Sequence, residues 1–220
     1  MTMLEFARGP GLYWSLCVFV FGVLWRLIGS FLLMRTRDLA KPRGTQPVRA
    51  GLRAMLMRSV PPHELEKQIT FQHITGYAWH IGFFVVLLFF GPHLLFFQQF
   101  TNLGWPILPN SVILVTAAIT LAILIALFAR RLVHPVLKRI STFDDYASIT
   151  LVMLPLVTGF VSYSHLQIPN VRYETLLAVH LLSIEALLVY FPFSKMMHLF
   201  YAFPSRYRVG VAMDRKGVQA

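Results

Sequence analysis

The stretch that decides the fold is residues 174–198, ETLLAVHLLSIEALLVYFPFSKMMH, which carries a histidine near each end. It is long enough to cross a bilayer as one helix, which needs roughly 20 predominantly apolar residues. His180 and His198 are 18 residues apart, and this separation equals about five helical turns. On one continuous helix the two imidazoles would point to the same side, about 27 Å apart along the axis. Two histidines on one face at opposite leaflets suit two haems in series.

The whole chain has the composition of a polytopic membrane protein. Of its 220 residues, 56% are hydrophobic and 13% are charged, and the mean hydropathy is +0.62. A soluble domain of this length carries fewer apolar and more charged residues. The single cysteine, Cys17, excludes an intrachain disulfide, a cysteine-ligated iron–sulfur cluster and a thiolate zinc site. Because the composition is that of a membrane protein, the net charge of +11 is attributed to membrane topology and docking, and not to nucleic-acid binding.

Five apolar blocks predict an all-α membrane protein with five transmembrane helices, which form a single domain over residues 1–220. The predicted spans are residues 11–34, 74–97, 111–129, 146–164 and 174–198. The first block is too long for a signal peptide and has no clear cleavage site, so it is predicted to be retained. Thr142 or Asp144 is expected to cap the fourth span, and Pro155 is expected to kink it.

The basic residues predict the orientation of the chain. The loop of residues 35–71, the loop between the third and fourth spans and the C-terminal tail together carry 16 of the 20 Lys and Arg residues. Basic loops are retained on the cytoplasmic side, so the N-terminus is predicted to be periplasmic and the C-terminus cytoplasmic. Within the loop 35–71, residues 50–59 predict a short amphipathic helix at the membrane surface.

This orientation predicts two pairs of histidines at two depths. His80 and His198 fall at the inner level, and His93 and His180 at the outer level. A low-spin b haem takes a neutral imidazole on each axial face, and ionisable residues inside spans are usually functional. Hydrogen bonding across helices, or a proton path, is the alternative for each histidine.

Other polar residues compete for these roles. His73 lies seven residues before His80, on nearly the same helical face, and is an alternative ligand to His80 or His93. Arg26 in the first span either binds a haem propionate or extends its side chain to the near interface. His134 and His165 at span boundaries are interpreted as interfacial polar groups, and His63, after two prolines, as a polar residue of the loop.

Several segments resemble the membrane cytochrome b subunit of respiratory nitrate reductase. They are WHIGFF at residues 79–84, GPHL at 91–94 and the run LLAVHLLSIEALLVYFPFSKMMH at 176–198, with FARGPGLYW at 6–14 and FDDYASITLVMLPLVTGF at 143–160. This nitrate reductase gamma subunit group includes the cytochrome b subunits of sulfite-reduction-associated and heterodisulfide-reductase-like complexes. The resemblance covers almost the whole chain. In the group the two second-span histidines lie closer together than here, a departure consistent with a shifted outer haem.

The resemblance implies a dihaem b protein of a bacterial or archaeal inner membrane. It would hold two haem b groups, the inner one by His80 and His198 and the outer one by His93 and His180. It would be the electron-transfer subunit of an oxidoreductase complex, exchanging electrons between the quinone pool and a cytoplasmic iron–sulfur partner. Quinol oxidation is the expected reaction, and nitrate and sulfur compounds stay open as terminal substrates.

Two other function classes, and the quinone site, stay open at this point. A haem-free membrane anchor or assembly subunit would have the same fold, and a small transporter would use histidines in a proton path, although no internal repeat is evident. The uncharged loop after the second span offers Gln98, Gln99, Asn102 and Trp105 near the outer level. Glu185 is a candidate proton acceptor. The favoured alternative is a carboxylate that is bonded to a neighbouring helix or to an arginine.

Overall fold

A computed structural model of the protein describes residues 1–33, 39–60, 66–164, 169 and 171–218, with the backbone alone at residues 66–68. The described residues form helices and connecting turns, without a β-strand among them. The helices are α1 Met3–Arg8, α2 Pro10–Leu33, α3 Pro47–Met57, α4 Glu66–Phe89, α5 Gly91–Thr101, α6 Asn110–Val133, α7 Pro135–Ile140, α8 Phe143–Tyr163, α9 Tyr173–Tyr190 and α10 His198–Arg215.

Five helical segments are long and apolar enough to cross a membrane, as the sequence predicts. They are Met3–Leu33, Ile69–Phe89, Asn110–Val133, Phe143–Tyr163 and Tyr173–Phe193. Because their lipid-facing side chains need no burial in protein, many large apolar residues are exposed, for example Leu33 at 83% and Trp25 at 70%. The fold class of an all-α protein with five potential spans is therefore confirmed.

The chain divides into two compact units. The first comprises Met1–Val18 and Phe71–Tyr190, and the second comprises Phe19–Thr70 and Phe191–Ala220. In the first unit α9 packs against α8 and α1, and α8 packs against α6. In the second unit the main packing is between α3 and α10.

Close helix packing in the first unit depends on small residues. Gly82 of α4 lies so close to Thr120 of α6 that a Cβ at this position would overlap the threonine Oγ1. Thr120 is itself buried and donates its hydroxyl proton to the Thr116 carbonyl at 2.7 Å. A larger side chain at residue 82 would therefore force the two helices apart.

The fourth span begins at Thr142, which is one of the two residues predicted to cap it. Thr142 is the N-cap residue of α8, and its backbone N–H donates to the Asp145 carboxylate at 2.9 Å. Asp145 also forms an ion pair with Arg131 at 3.1 Å. Asp144 instead accepts a hydrogen bond from the Tyr190 hydroxyl at 2.7 Å. Acidic residues in the first turn suit the positive end of the helix dipole.

Two of the predicted spans are not continuous helices. The second is divided at Phe90, since α4 ends at Phe89 and α5 begins at Gly91. The fifth ends as an α-helix at Tyr190 and continues through two short 3-10 turns, Phe191–Phe193 and Lys195–Met197. The prediction of one helix over residues 174–198 is wrong because Pro192 lacks an N–H and its ring blocks the preceding helical turn. The same-face argument for His180 and His198 fails with it, since His198 begins a separate helix.

Candidate metal-binding histidine pair

The break at Pro92 leaves carbonyl groups at the end of α4 without helical partners, and each finds another donor. Pro92 has no N–H for the Leu88 carbonyl, which instead accepts from the Trp105 indole N–H at 2.7 Å. The Phe89 carbonyl accepts from the Leu108 N–H at 3.1 Å. The loop after α5 thus returns to the end of α4 and fixes the geometry of the break.

His93, in the first turn of α5, contacts this break through its own ring. Its Nδ1 lies 3.1 Å from the Val86 carbonyl oxygen. A carbonyl can only accept, so Nδ1 carries a proton, and in the neutral imidazole Nε2 then keeps a lone pair. The Phe90 ring packs edge-on at 5.0 Å between ring centroids and also contacts Tyr163 at 5.2 Å. The half-buried His93 ring is therefore held by both a hydrogen bond and aromatic packing.

His180 of α9 is held by α8 in a comparable way. Its Nδ1 lies 3.1 Å from the Thr158 hydroxyl oxygen, and that hydroxyl lies 2.7 Å from the Leu154 carbonyl. Assigning the threonine proton to the carbonyl makes Nδ1 of His180 the donor to Thr158. Gly159 provides the space, since a Cβ there would lie 2.9 Å from the His180 Cε1.

The structure brings His93 and His180 together as a pair. Their ring centroids are 6.2 Å apart, and the ring planes differ by 13°. Two imidazoles that share one metal ion through Nε2 have centroids about 6 Å apart, given metal–nitrogen bonds of about 2 Å. The observed separation fits that arrangement.

The proton assignment of the pair also fits metal binding. A metal-binding imidazole typically donates its other N–H to a carbonyl, carboxylate or hydroxyl, which fixes the tautomer and the ring orientation. Both Nδ1 atoms have such partners, and within the described part of the chain neither Nε2 makes a hydrogen bond. In its neutral form each ring would therefore present Nε2 as a ligand.

The number of protein ligands limits which metal group fits. Among the described residues no group of three or more His, Cys, Asp or Glu could hold a metal ion. A structural zinc site needs four such ligands and a catalytic site three. Two imidazoles suffice for a haem, because the porphyrin supplies the other ligands of the iron.

The other predicted second-span ligand lies elsewhere in the first unit. His80 is half-buried on α4, and its Nδ1 lies 2.6 Å from the Gly76 carbonyl. Its ring lies against the Trp79 ring, with centroids 3.7 Å apart and the planes tilted by 31°. His73 lies inside α4, two turns before His80. Its ring packs edge-on against Tyr77 at 4.8 Å. His80 and its rival His73 both remain candidates for a second site.

The remaining predicted residues belong to the second unit. His198 is the first residue of α10, is exposed, and has Nδ1 at 2.8 Å from the Lys195 carbonyl. Arg26 is exposed on α2, and its backbone carbonyl accepts from the Tyr201 hydroxyl at 2.7 Å. No ion pair of Arg26 is found among the residues that the structure describes. The inner ligand pair of His80 and His198 and the propionate role of Arg26 stay predictions.

Residues considered for a quinone site have structural roles here. The Trp105 indole caps a carbonyl, and Asn102 ends α5 in the left-handed conformation with φ of 57°. Gln98 lies against Gly104. Asn tolerates this conformation better than most residues do, so Trp105 and Asn102 both contribute to the folding of this loop.

Of the two interfacial histidines, His134 is exposed between α6 and α7, while His165 and the loop residue His63 lie outside the described residues.

Glu185 is buried, with 7% of its surface exposed, and it faces the start of α2. A Cβ at Gly11 would lie 2.5 Å from its Oε2. Its Oε1 has no hydrogen-bond partner within the described part of the chain. The expected bond to a neighbouring helix or to an arginine is therefore not seen for this oxygen.

Thr158 and Ser183 are functional candidates that the sequence does not indicate. Ser183 lies 3.0 Å from Thr158, oxygen to oxygen, and its hydroxyl lies 2.6 Å from the His180 carbonyl. Both hydroxyls thus belong to the hydrogen-bond network that holds His180. Thr158 precedes His180 by 22 residues and lies on another helix, so no motif spacing could reveal it.

Comparison with known proteins finds a similar protein but gives no activity for it. No protein-family model matches the chain. It is similar to a protein from Nitratidesulfovibrio vulgaris (strain Hildenborough), with 28% identity over 221 aligned positions that cover 98% of this chain and 96% of the relative. The relative is named only "Protein", and this name assigns it no function.

Proposed function

We propose that the protein is a dihaem b-type cytochrome subunit of a membrane-bound oxidoreductase complex. It passes electrons between membrane quinone or quinol and a cytoplasmic iron–sulfur partner. The observation that carries the proposal is the His93–His180 pair, with centroids 6.2 Å apart and both Nδ1 atoms bonded within the protein. The five potential spans support a location in the bilayer.

In this proposal His93 and His180 hold the outer haem, which supplies reversible one-electron chemistry when bound. The protein's own part is to fix both imidazoles before binding. The Val86 carbonyl and the Thr158 hydroxyl orient the rings and keep Nε2 available. Gly159 leaves space beside the His180 ring. Fixed ligands lower the cost of reorganisation when an electron arrives.

The second haem is proposed to bind His80 and His198, with Arg26 as a partner for a propionate. Nδ1 of His80 and of His198 each faces a backbone carbonyl, which holds the ring in place as is typical of metal-binding imidazoles. With basic segments on the cytoplasmic side, the N-terminus would be periplasmic and the C-terminus cytoplasmic. Quinol oxidation near the outer pair would then release protons outside while electrons pass inward.

A reduced-minus-oxidised optical spectrum of the purified full-length protein, with haem quantified per polypeptide, tests the proposal. We expect b-type bands and about two haems per chain, one for each pair of axial histidines. One haem per chain would retain the cytochrome but reject the assignment of one pair. No haem in folded protein that was produced with haem available would reject the proposal in favour of a haem-free anchor subunit.

A further inference from the structure

Helix α3 has one face that packs and one that does not. Its small residues Gly51 and Ala54 are buried, and a Cβ at Gly51 would lie 2.5 Å from the Tyr207 ring of α10. On α10, Gly210 is equally close, since its added Cβ would lie 2.7 Å from the Ala54 Cβ. Small residues on both sides let the two helices pack closely and fix which face of α3 points outward.

The outward face of α3 combines apolar and basic side chains at helical spacing. Leu56 is 74% exposed, and Val48 and Met57 are each 60% exposed. Val48, Leu52 and Leu56 recur every four residues along one side of the helix. Six residues line a shallow groove on this side, namely Val48, Arg49, Leu52, Arg53, Leu56 and Met57. This is a continuous apolar stripe beside two arginines, with no acidic residue in the helix.

The packing of α10 places this face at the end of a membrane span. The Arg208 guanidinium lies 5.8 Å from the centre of the Phe31 ring, in the last turn of α2. Two residues earlier, Arg206 donates a hydrogen bond to the Ser59 hydroxyl at 2.8 Å, just beyond α3. One turn of α10 therefore contacts both the end of the span and the α3 region. With α2 crossing a bilayer, the contact of Arg208 with Phe31 would bring the α3 region close to the boundary between hydrocarbon and headgroups.

We propose that this face is a binding site for anionic phospholipid. Val48, Leu52 and Leu56 enter the boundary of the acyl chains, and the guanidinium groups of Arg49 and Arg53 bind lipid phosphodiesters. Arg49 donates one N–H to Gln46 at 3.2 Å and retains further donors for a phosphate. Basic amphipathic helices in the interface bind through this combination of apolar burial and attraction to anionic lipid.

An acidic soluble protein would satisfy the arginines but not the apolar stripe at this depth. Leucine and valine beside the end of a span are better buried in acyl chains than in a polar docking surface, which is depleted of apolar residues at its rim. Lipid therefore accounts for both kinds of side chain, whereas an acidic protein accounts for one.

The test uses the full-length protein with Cys17→Ser and a single cysteine, Leu52→Cys, labelled with an environment-sensitive fluorophore. The protein is placed in nanodiscs of phosphatidylcholine with increasing phosphatidylglycerol, and quenching by neutral acrylamide reports water access. We expect protection that rises with phosphatidylglycerol. Adding Arg49→Gln and Arg53→Gln should weaken the protected state by up to about 25-fold, since each arginine near an anionic surface contributes about fivefold.

Lys138→Gln with Arg139→Gln removes the same charge from exposed positions on α7 and should preserve the response. An equal loss in this control would mean a general charge effect and would overturn the proposal. A label that stays accessible to acrylamide at every lipid composition would also overturn it and leave the face open to a protein partner. Protection in phosphatidylcholine alone, unchanged by phosphatidylglycerol, would reject the anionic component.

Discussion

Pro92 and Pro192 each interrupt a helix close to a candidate ligand, yet the two breaks are stabilised differently. At Pro92 the carbonyls of the preceding helix accept from distant groups, including the indole of Trp105 and the N–H of Leu108. At Pro192 the partners are local. The hydroxyl and the N–H of Ser194 both donate to the Phe191 carbonyl, at 2.9 and 3.2 Å.

The difference shows how each histidine is positioned. His93 is fixed by a break that depends on a returning loop and meets His180 across the first unit. His198 follows a compact turn whose neighbours Met196 and Met197 are buried, and whose Pro192 packs against Gly22. The hydrogen bonds at the first break are long-range and those at the second are local, so we expect substitutions to affect them unequally.

The largest effect is expected from removing the histidine pair beside the first break. His93→Ala and His180→Ala should each remove about one haem per chain, and the double variant should remove no more, because both residues hold one group. Haem quantification and the reduced-minus-oxidised spectrum measure this.

His134→Ala is the matched control, since His134 is exposed and lies between helices. It should keep the haem content of the parent protein. Loss of both haems in the double variant, or of none in either single variant, would show that the two imidazoles do not act as one site.

The sequence predicts the five potential spans because apolar blocks of spanning length have few alternatives in a bilayer. It predicts Thr142 as a cap and the amphipathic helix α3 because these depend on local patterns. The prediction is wrong where one continuous helix is expected across a proline, as at Pro192. The partners of His180 were also unpredictable, because Thr158 is brought to it by the packing of α8 on α9.

An intermediate effect is expected from the indole that completes the first break. Trp105→Phe keeps an aromatic ring but removes the N–H that the Leu88 carbonyl accepts. The bond is part-buried, and a carbonyl that loses its donor in such a place costs about 1 to 2 kcal/mol, so the melting temperature in detergent should fall. Trp14→Phe, at a residue that is 72% exposed, should leave it unchanged. Equal melting temperatures for both variants would mean that the loop does not stabilise the break.

The smallest effect is expected at the second break, because its hydrogen bonds are partly redundant. Ser194→Ala removes both hydrogen bonds of the hydroxyl, which accepts from the Met196 N–H at 3.1 Å and donates to the Phe191 carbonyl at 2.9 Å, while the Ser194 N–H still donates to that carbonyl. Because the carbonyl keeps one donor, the net cost should be about 1 kcal/mol, which thermal unfolding in detergent should detect. Ser205→Ala, where the hydroxyl is exposed and donates to the Ala202 carbonyl, should cost less, and Ser194→Thr should retain most of the stability. A larger fall in melting temperature for Ser194→Ala than for Trp105→Phe would contradict this order. The local turn would then contribute more to stability than the loop does. The position of His198 would depend on that turn as strictly as the position of His93 depends on its loop.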